Sequence, residues 1–337
     1  MNRIARLPTR RLLVGAAVAA AIALAFAWLV PSRDFLYVPN EAKPVAEHVE
    51  VAGERADTSP GGIYYVDVTV RRATWLERFV PFLRPDGASL VNRHAIVPDG
   101  TSFEDRRREG LAEMARSQEI AAAVALAEAG YDVAATPQGA LVEGVASDAP
   151  AAASLAAGDV IVAAAGSPVR TPQALRDALA RTKPGGPVRL RLRRDGKVTS
   201  VTVTTLASPD DPRRSIIGIR VSQAAEIALP IDVKIDLGGV GGPSAGLPFA
   251  LDVIQELGED VDRGRRIAAT GEIALDGSVA PIGGIKQKVY GARRAGADLF
   301  LVPAGDNAEE ARRYAGKLRI VPVETFQQAL AQLRTLQ

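Results

Sequence analysis

A serine and two lysines stand out in this sequence for the reaction that their surroundings would allow. Ser244 lies in the glycine-rich run Gly238-Gly239-Val240-Gly241-Gly242-Pro243-Ser244-Ala245-Gly246, and Lys286 follows Gly283-Gly284-Ile285, 42 residues further on. A serine hydroxyl becomes a strong nucleophile only beside a group that takes its proton. Histidine is scarce: the chain has His48 and His94, both far upstream, and no cysteine. Of 41 basic residues, 34 are arginine and seven are lysine. Arginine stays protonated, whereas desolvation can deprotonate a lysine near neutral pH. Lys286, just after two glycines, is the expected base. Lys288 is the alternative, and a solvated lysine without chemistry is the plain reading of either. Gly242 and Ser244 are the expected backbone oxyanion donors, because Pro243 between them has no N–H. Such a set would perform acyl transfer through a serine.

The flanking pattern positions that serine. Ile231, Val233, Ile235 and Leu237 alternate with Asp232, Lys234 and Asp236, the period of a half-buried strand. Beyond Ser244, Leu247, Ala250, Leu251, Ile254 and Leu257 recur at helical spacing. The serine therefore sits in a turn between strand and helix, where N–H groups lack intrahelical partners and can face negative charge. Pro248, early in that helix, removes a backbone bond toward Ser244. Further upstream, Ile63–Val70 alternates as a strand. Trp75–Leu83 is expected as a short amphipathic helix closed by Pro85-Asp86-Gly87, buried in the commoner reading and touching the membrane surface in the alternative, and 102–129 as one or two helices.

The pattern changes at Tyr131. Ala140–Val145 is a short strand, and Thr171-Pro172 is a helix start with Thr as cap and Pro at the first position. Val188, Leu190 and Leu192 alternate with Arg189, Arg191 and Arg193, and Asp195-Gly196 turns this strand back as a hairpin. Leu155 with Gly158-Asp159-Val160-Ile161 is the most specific piece of a block, 131–205, that resembles a PDZ domain. Pro137–Leu141 matches that family's carboxylate-binding loop only loosely.

Gly242-Pro243-Ser244-Ala245-Gly246-Leu247 resembles the catalytic serine motif of Lon-type peptidases. Thr270-Gly271-Glu272-Ile273, with Gly277 and Val279–Lys286, resembles the same family's lysine motif, and Val302-Pro303 and Asn307 fit it as well. The resemblance covers 209–337. At Gly241 it departs from ATP-dependent Lon enzymes, which carry Asp there, and follows the membrane-anchored, PDZ-containing Lon-like proteins. It implies an α/β (α+β) Lon-type proteolytic domain with an inserted mainly-β PDZ domain, behind one N-terminal transmembrane helix. The implied dyad is Ser244 and Lys286; Thr270 is expected as a structural threonine at a strand end, with orienting the lysine or a water as its alternative role. A homo-oligomeric ring is implied by the resemblance alone.

The expected layout is a basic N-terminus over 1–11, a membrane-spanning helix over 12–30, a linker and first part of the peptidase fold over 31–130, the PDZ domain over 131–208 and the catalytic domain over 209–337. Leu12–Val30 carries no charge over 19 residues, enough to cross a bilayer core. Arg3, Arg6, Arg10 and Arg11 precede it, which favours the N-terminus inside and the rest outside. A cleavable signal ending near Ala25-Phe26-Ala27 is the alternative. The formal net charge of +2 implies no nucleic-acid partner. No G-x-x-x-x-G-K-[ST] and no H-E-x-x-H is present, so neither an ATPase module, a cofactor nor a metal is expected. The expected function is an ATP-independent, membrane-anchored serine endopeptidase acting on extracytoplasmic or membrane-associated proteins, with the PDZ domain engaging substrate or regulator peptides. The alternative is an anchored PDZ scaffold that is inactive or processes only itself.

Overall fold

Short runs rich in Ile, Val, Leu, Ala and Tyr suit strands that are covered on both faces. Gly62–Tyr65, Arg266–Ala269, Leu299–Pro303 and Arg319–Val323 are such runs, and they pair as a parallel sheet with Lys43–Pro44 antiparallel at one edge. The computed structural model describes residues 9–52, 61–96, 103–146, 148–209 and 211–336. Alternation along the strands divides the side chains between two cores. Ile63, Tyr65, Ile267, Ala269, Leu299 and Leu301 pack with Phe249 and Ile254 of helix Gly246–Glu256 and with Ala121 of helix Phe103–Glu128. Ala268, Phe300 and Val302 pack with Ile285, Val289 and Ala292 of helix Ile285–Arg294. The helices after the serine and around the lysines thus flank opposite faces of the sheet. They meet at the carboxyl ends of Gly62–Tyr65 and Arg266–Ala269, the edge where open α/β sheets place ligands.

A second sheet, antiparallel throughout, runs Lys197–Thr204, Pro187–Arg194, Val160–Ala164, Ala134–Val145, Ile219–Ala228. Its hairpin turns through Asp195 (φ 49°) and Gly196 (φ 75°), the two positive values of a type I′ turn. Thr171 caps helix Pro172–Ala180 by accepting from the Ala174 N–H, and Leu175 and Leu179 enter the core. Strands from both sides of this block join in the parallel sheet. Strand pairing crosses the expected boundary at 208/209. Ile219–Ala228 runs beside Ala134–Val145 over its whole length, so the PDZ-like sheet continues past that point. The Pro- and Asp-rich stretch after Ser208 is a loop between strands of this block, not an exit from it: Leu206–Ala207 before it pairs with Ser215–Ile216 after it.

Two other expectations change. The alternation over 63–70 crosses from one sheet to another, because Val68–Thr74 joins Pro31–Pro39 and Ser89–Val91 in a separate three-stranded sheet. Trp75–Leu83 is not a buried helix. It is one short helix, Trp75–Phe79, followed by a 3-10 turn, Pro81–Leu83, and Phe79 and Phe82 are 70% and 85% exposed. The buried member is Glu77, which closes a capping box with Thr74 and takes two N–H groups from Arg71. Thr9–Leu29 forms one helix, with side chains described at 13–22 and 24–29. Among the described residues no helix is long and apolar enough to cross a membrane. The basic segment 1–11 lies mostly outside the described residues.

Candidate active site

The serine loop is held from behind by helix Phe103–Glu128. Gly242 N–H donates to the Gly110 carbonyl at 2.8 Å, and Ser117 Oγ donates to the Pro243 carbonyl at 2.9 Å. At Gly241 a Cβ would stand 3.0 Å from the Gly110 carbonyl carbon, so a side chain there would press on the Gly110 backbone. Gly246 is under more pressure, since a Cβ would meet Ser117 Oγ at 2.8 Å and Ile273 Cγ2 at 2.9 Å. Gly246→Ala should therefore cost about 1–3 kcal/mol of stability and move the serine. A thermal melt and a peptide-hydrolysis assay check this, and an unchanged melting temperature would show that the packing yields freely.

Ser244 is the middle residue of the 3-10 turn Pro243–Ala245, ahead of helix Gly246–Glu256. Pro248 explains what its carbonyl does. In an unbroken helix, residue 248 would donate to the carbonyl of 244, and proline cannot. The Ser244 carbonyl instead accepts from Gly271 N–H at 2.9 Å and from Thr270 Oγ1 at 3.0 Å, while Leu247 N–H donates to Gly271 O at 3.1 Å. These bonds tie the serine turn to the end of strand Arg266–Ala269.

The base expected at Lys286 is not the lysine beside the serine. Lys288 Nζ lies 2.6 Å from Ser244 Oγ and 2.9 Å from Thr270 Oγ1. Lys286 Nζ lies 3.3 Å from Ser89 Oγ and 3.5 Å from the Ala88 carbonyl, and sits 5.4 Å over the Tyr314 ring. The physical reason is helical phase. Gly284 is left-handed (φ 71°) and starts helix Ile285–Arg294, in which Ile285, Lys288, Val289 and Ala292 share the i, i+3, i+4, i+7 face turned to the core. A residue two positions earlier projects about 200° away. The sequence carries this signal in the spacing of Ile285, Val289 and Ala292, and the preceding glycines obscured it.

Burial sets the charge of Lys288. Desolvation pushes its ammonium down from 10.5 to about 7, and the nearby negative charge of Asp67 works against this. Asp67 is oriented by Asn40, whose Nδ2 donates to Oδ2 at 2.9 Å. Thr270 adds direction. Its hydroxyl proton goes to the Ser244 carbonyl, so Oγ1 offers a lone pair to a Lys288 N–H. The remaining lone pair of a neutral amine is then free to face Ser244 Oγ. An open cleft of about 800 Å³ runs over Ser244 and Lys288, lined by Tyr37, Phe103 and Met114 together with Arg107, Glu113 and Glu272. Burial, and after it the charge of Glu143, raises Glu272 to about 7.

The two expected oxyanion donors part company. The Gly242 N–H is committed to Gly110, so it is withdrawn as a donor. What Gly242 supplies is its backbone, held at φ 94°, a region that glycine adopts without strain. Ser244 N–H, within the first turn, has no partner along the helix.

Residues 224–335 match the Lon protease (S16) C-terminal proteolytic domain, and residues 100–205 match the PDZ domain. Lon protease 1 of Sorangium cellulosum is 40% identical over 106 residues, covering 28% of this chain and 13% of that protein. Lon protease 2 of Bacillus subtilis is 31% identical over 105 residues, 30% of this chain and 19% of that protein. The chain thus spans less than a fifth of the length of these curated relatives. Among solved structures, the PDZ domain of an SdrC-like protein from Listeria monocytogenes aligns with 25% of this chain and 87% of its own, at 26% identity and a TM-score of 0.23.

Proposed function

We propose, from the match of residues 224–335 to the Lon protease (S16) C-terminal proteolytic domain and of residues 100–205 to the PDZ domain, that this chain is a serine endopeptidase that needs no ATP. It works through a Ser244–Lys288 dyad. The observation that carries this reading is the 2.6 Å approach of the buried Lys288 Nζ to the half-buried Ser244 Oγ at an open cleft. Neutral Lys288 takes the hydroxyl proton as Ser244 Oγ attacks the scissile carbonyl. The Ser244 N–H stabilises the oxyanion. Lys288 returns the proton to the leaving amine, and a water then attacks the acyl-enzyme along the same route in reverse. Thr270 positions the lysine throughout.

The PDZ domain is proposed to deliver peptides. Ile219–Ala228 is an edge strand of its sheet, the kind of edge to which an extended peptide adds by backbone pairing. The same strand leads, through Val233–Ile235, into the serine loop. Anchoring in a membrane, with both domains outside the cytoplasm, is proposed from the sequence. The uncharged run Leu12–Val30 and the arginines ahead of it support that placement.

The test is labelling and turnover without nucleotide. The purified chain should react with a fluorophosphonate probe at Ser244 and hydrolyse an unstructured protein in the absence of ATP, and Ser244→Ala should do neither. A folded wild type that neither labels nor cleaves would replace this reading with the scaffold one.

A further inference from the structure

Large apolar side chains exposed singly are normal on a protein surface, whereas a contiguous group needs a reason. Outside helix Thr9–Leu29, Phe103, Tyr131 and Val198 are exposed at separate points of the described chain, but Phe79, Phe82 and Leu83 are exposed together. Phe79 stacks on Trp75 at 5.9 Å, and the Arg78 guanidinium lies 5.6 Å and 5.7 Å from the two ring centres. Of the nearby acids, Glu77 pairs with Arg71 and Asp34 with Arg78 at 2.9 Å, while Asp86, three residues beyond Leu83, is exposed. Arg33 and Arg72 remain exposed beside them. Around Phe79 and Phe82 the exposed side chains are thus mainly aromatic and cationic, with Asp86 at the far end of the segment.

Its position selects the partner. Trp75 N–H donates to the Val30 carbonyl at 3.3 Å, so this face sits where the uncharged run of helix Thr9–Leu29 ends. Aromatic rings and arginines at that level are what a bilayer interface accepts, with rings among the headgroups and cations against anionic lipid. We infer that Trp75–Leu83 is a foot that rests in the membrane surface, with Phe79 and Phe82 inserted into the interface beside the end of helix Thr9–Leu29. The inference rests on the anchoring proposed above. A second copy of the chain or a substrate segment would have no need of the end of that helix.

The sequence supplies its own reporter. The chain has two tryptophans, Trp28 and Trp75, so Trp28→Phe leaves Trp75 alone. Full-length Trp28→Phe protein is reconstituted in phosphatidylcholine–phosphatidylglycerol vesicles brominated either near the headgroup or near the chain ends. It should float with the vesicles after carbonate washing. Shallow bromines should remove roughly half of the Trp75 emission and deep bromines little, the depth of an interfacial residue. Adding Phe79→Ser and Phe82→Ser should abolish most of that quenching while flotation and peptide hydrolysis persist. Flotation without shallow quenching overturns the foot alone, as does quenching that survives loss of both phenylalanines. Cross-linking of two copies through this face in place of quenching would assign it to a dimer. Failure to float would remove the anchoring reading and the foot together.

Discussion

Lys288→Arg should abolish peptide hydrolysis as fully as Ser244→Ala, while Lys286→Ala retains most of it. Arginine keeps the charge and approximate reach but does not give up its proton in a protein, so it cannot accept one from Ser244. Nucleophile and base act as a unit, and removing either leaves only binding and oxyanion stabilisation. Lys286 reaches Ser89 and Ala88 rather than the serine, so its loss should leave the reaction intact. In the wild type, kcat/KM should rise with pH through about 7, the region to which burial pushes Lys288, because only the neutral amine is a base. Glu272 titrates in the same window. Glu272→Gln separates the two, since the limb belongs to Lys288 and should survive that change. A folded Lys288→Arg enzyme with substantial turnover would sink the dyad, and loss of the limb in Glu272→Gln would move the titration to the carboxylate.

Lys288→Met should be equally inactive yet more stable than the wild type, and the gain should depend on pH in a set direction. In the unfolded chain the amine titrates near 10.5, and in the folded protein near 7. Between these values the unfolded state binds a proton that the folded state does not, so wild-type stability rises with pH across that interval. Below about 7 both states are protonated and the full cost of a buried ammonium is present, on the order of 4–5 kcal/mol as an upper bound. Methionine fills similar volume without a charge. The difference in melting temperature between Lys288→Met and wild type should be largest at pH 7 and below, and should shrink toward pH 10.5. Lost bonds to Ser244 and Thr270 offset it by about 1 kcal/mol each. A difference that does not change with pH would mean that the lysine is hydrated in the folded state and is not held neutral by burial. The pair of substitutions also protects the first prediction, because an inactive Lys288→Arg could reflect a buried permanent charge, whereas an inactive and stabilised Lys288→Met could not.

Much of this protein is written in local pattern. Alternation and helical spacing around the glycine-rich run are enough to seat Ser244 between strand and helix, and the scarcity of histidine and the absence of cysteine point to lysine as its base. Leu155 with Gly158–Ile161 and the Asp195-Gly196 turn mark the PDZ block for the same reason, since each depends only on near neighbours. What stayed hidden depends on residues far apart in the chain. Which of two lysines meets the serine is decided by the phase of Ile285–Arg294 against the sheet, and a shift of two residues reverses the answer. Gly242 ceased to be an oxyanion donor because a carbonyl 132 residues earlier, that of Gly110, claims its N–H. Ile219–Ala228 belongs to the PDZ-like sheet because of its partner strand, which composition does not name. Phe79 and Phe82 look like core residues in sequence and stand in solvent in the fold, because the capping box and the Arg71–Glu77 pair turn the other side of their short helix inward. Periodicity says that a side chain has an inside and an outside, and only the packed neighbours decide which is which.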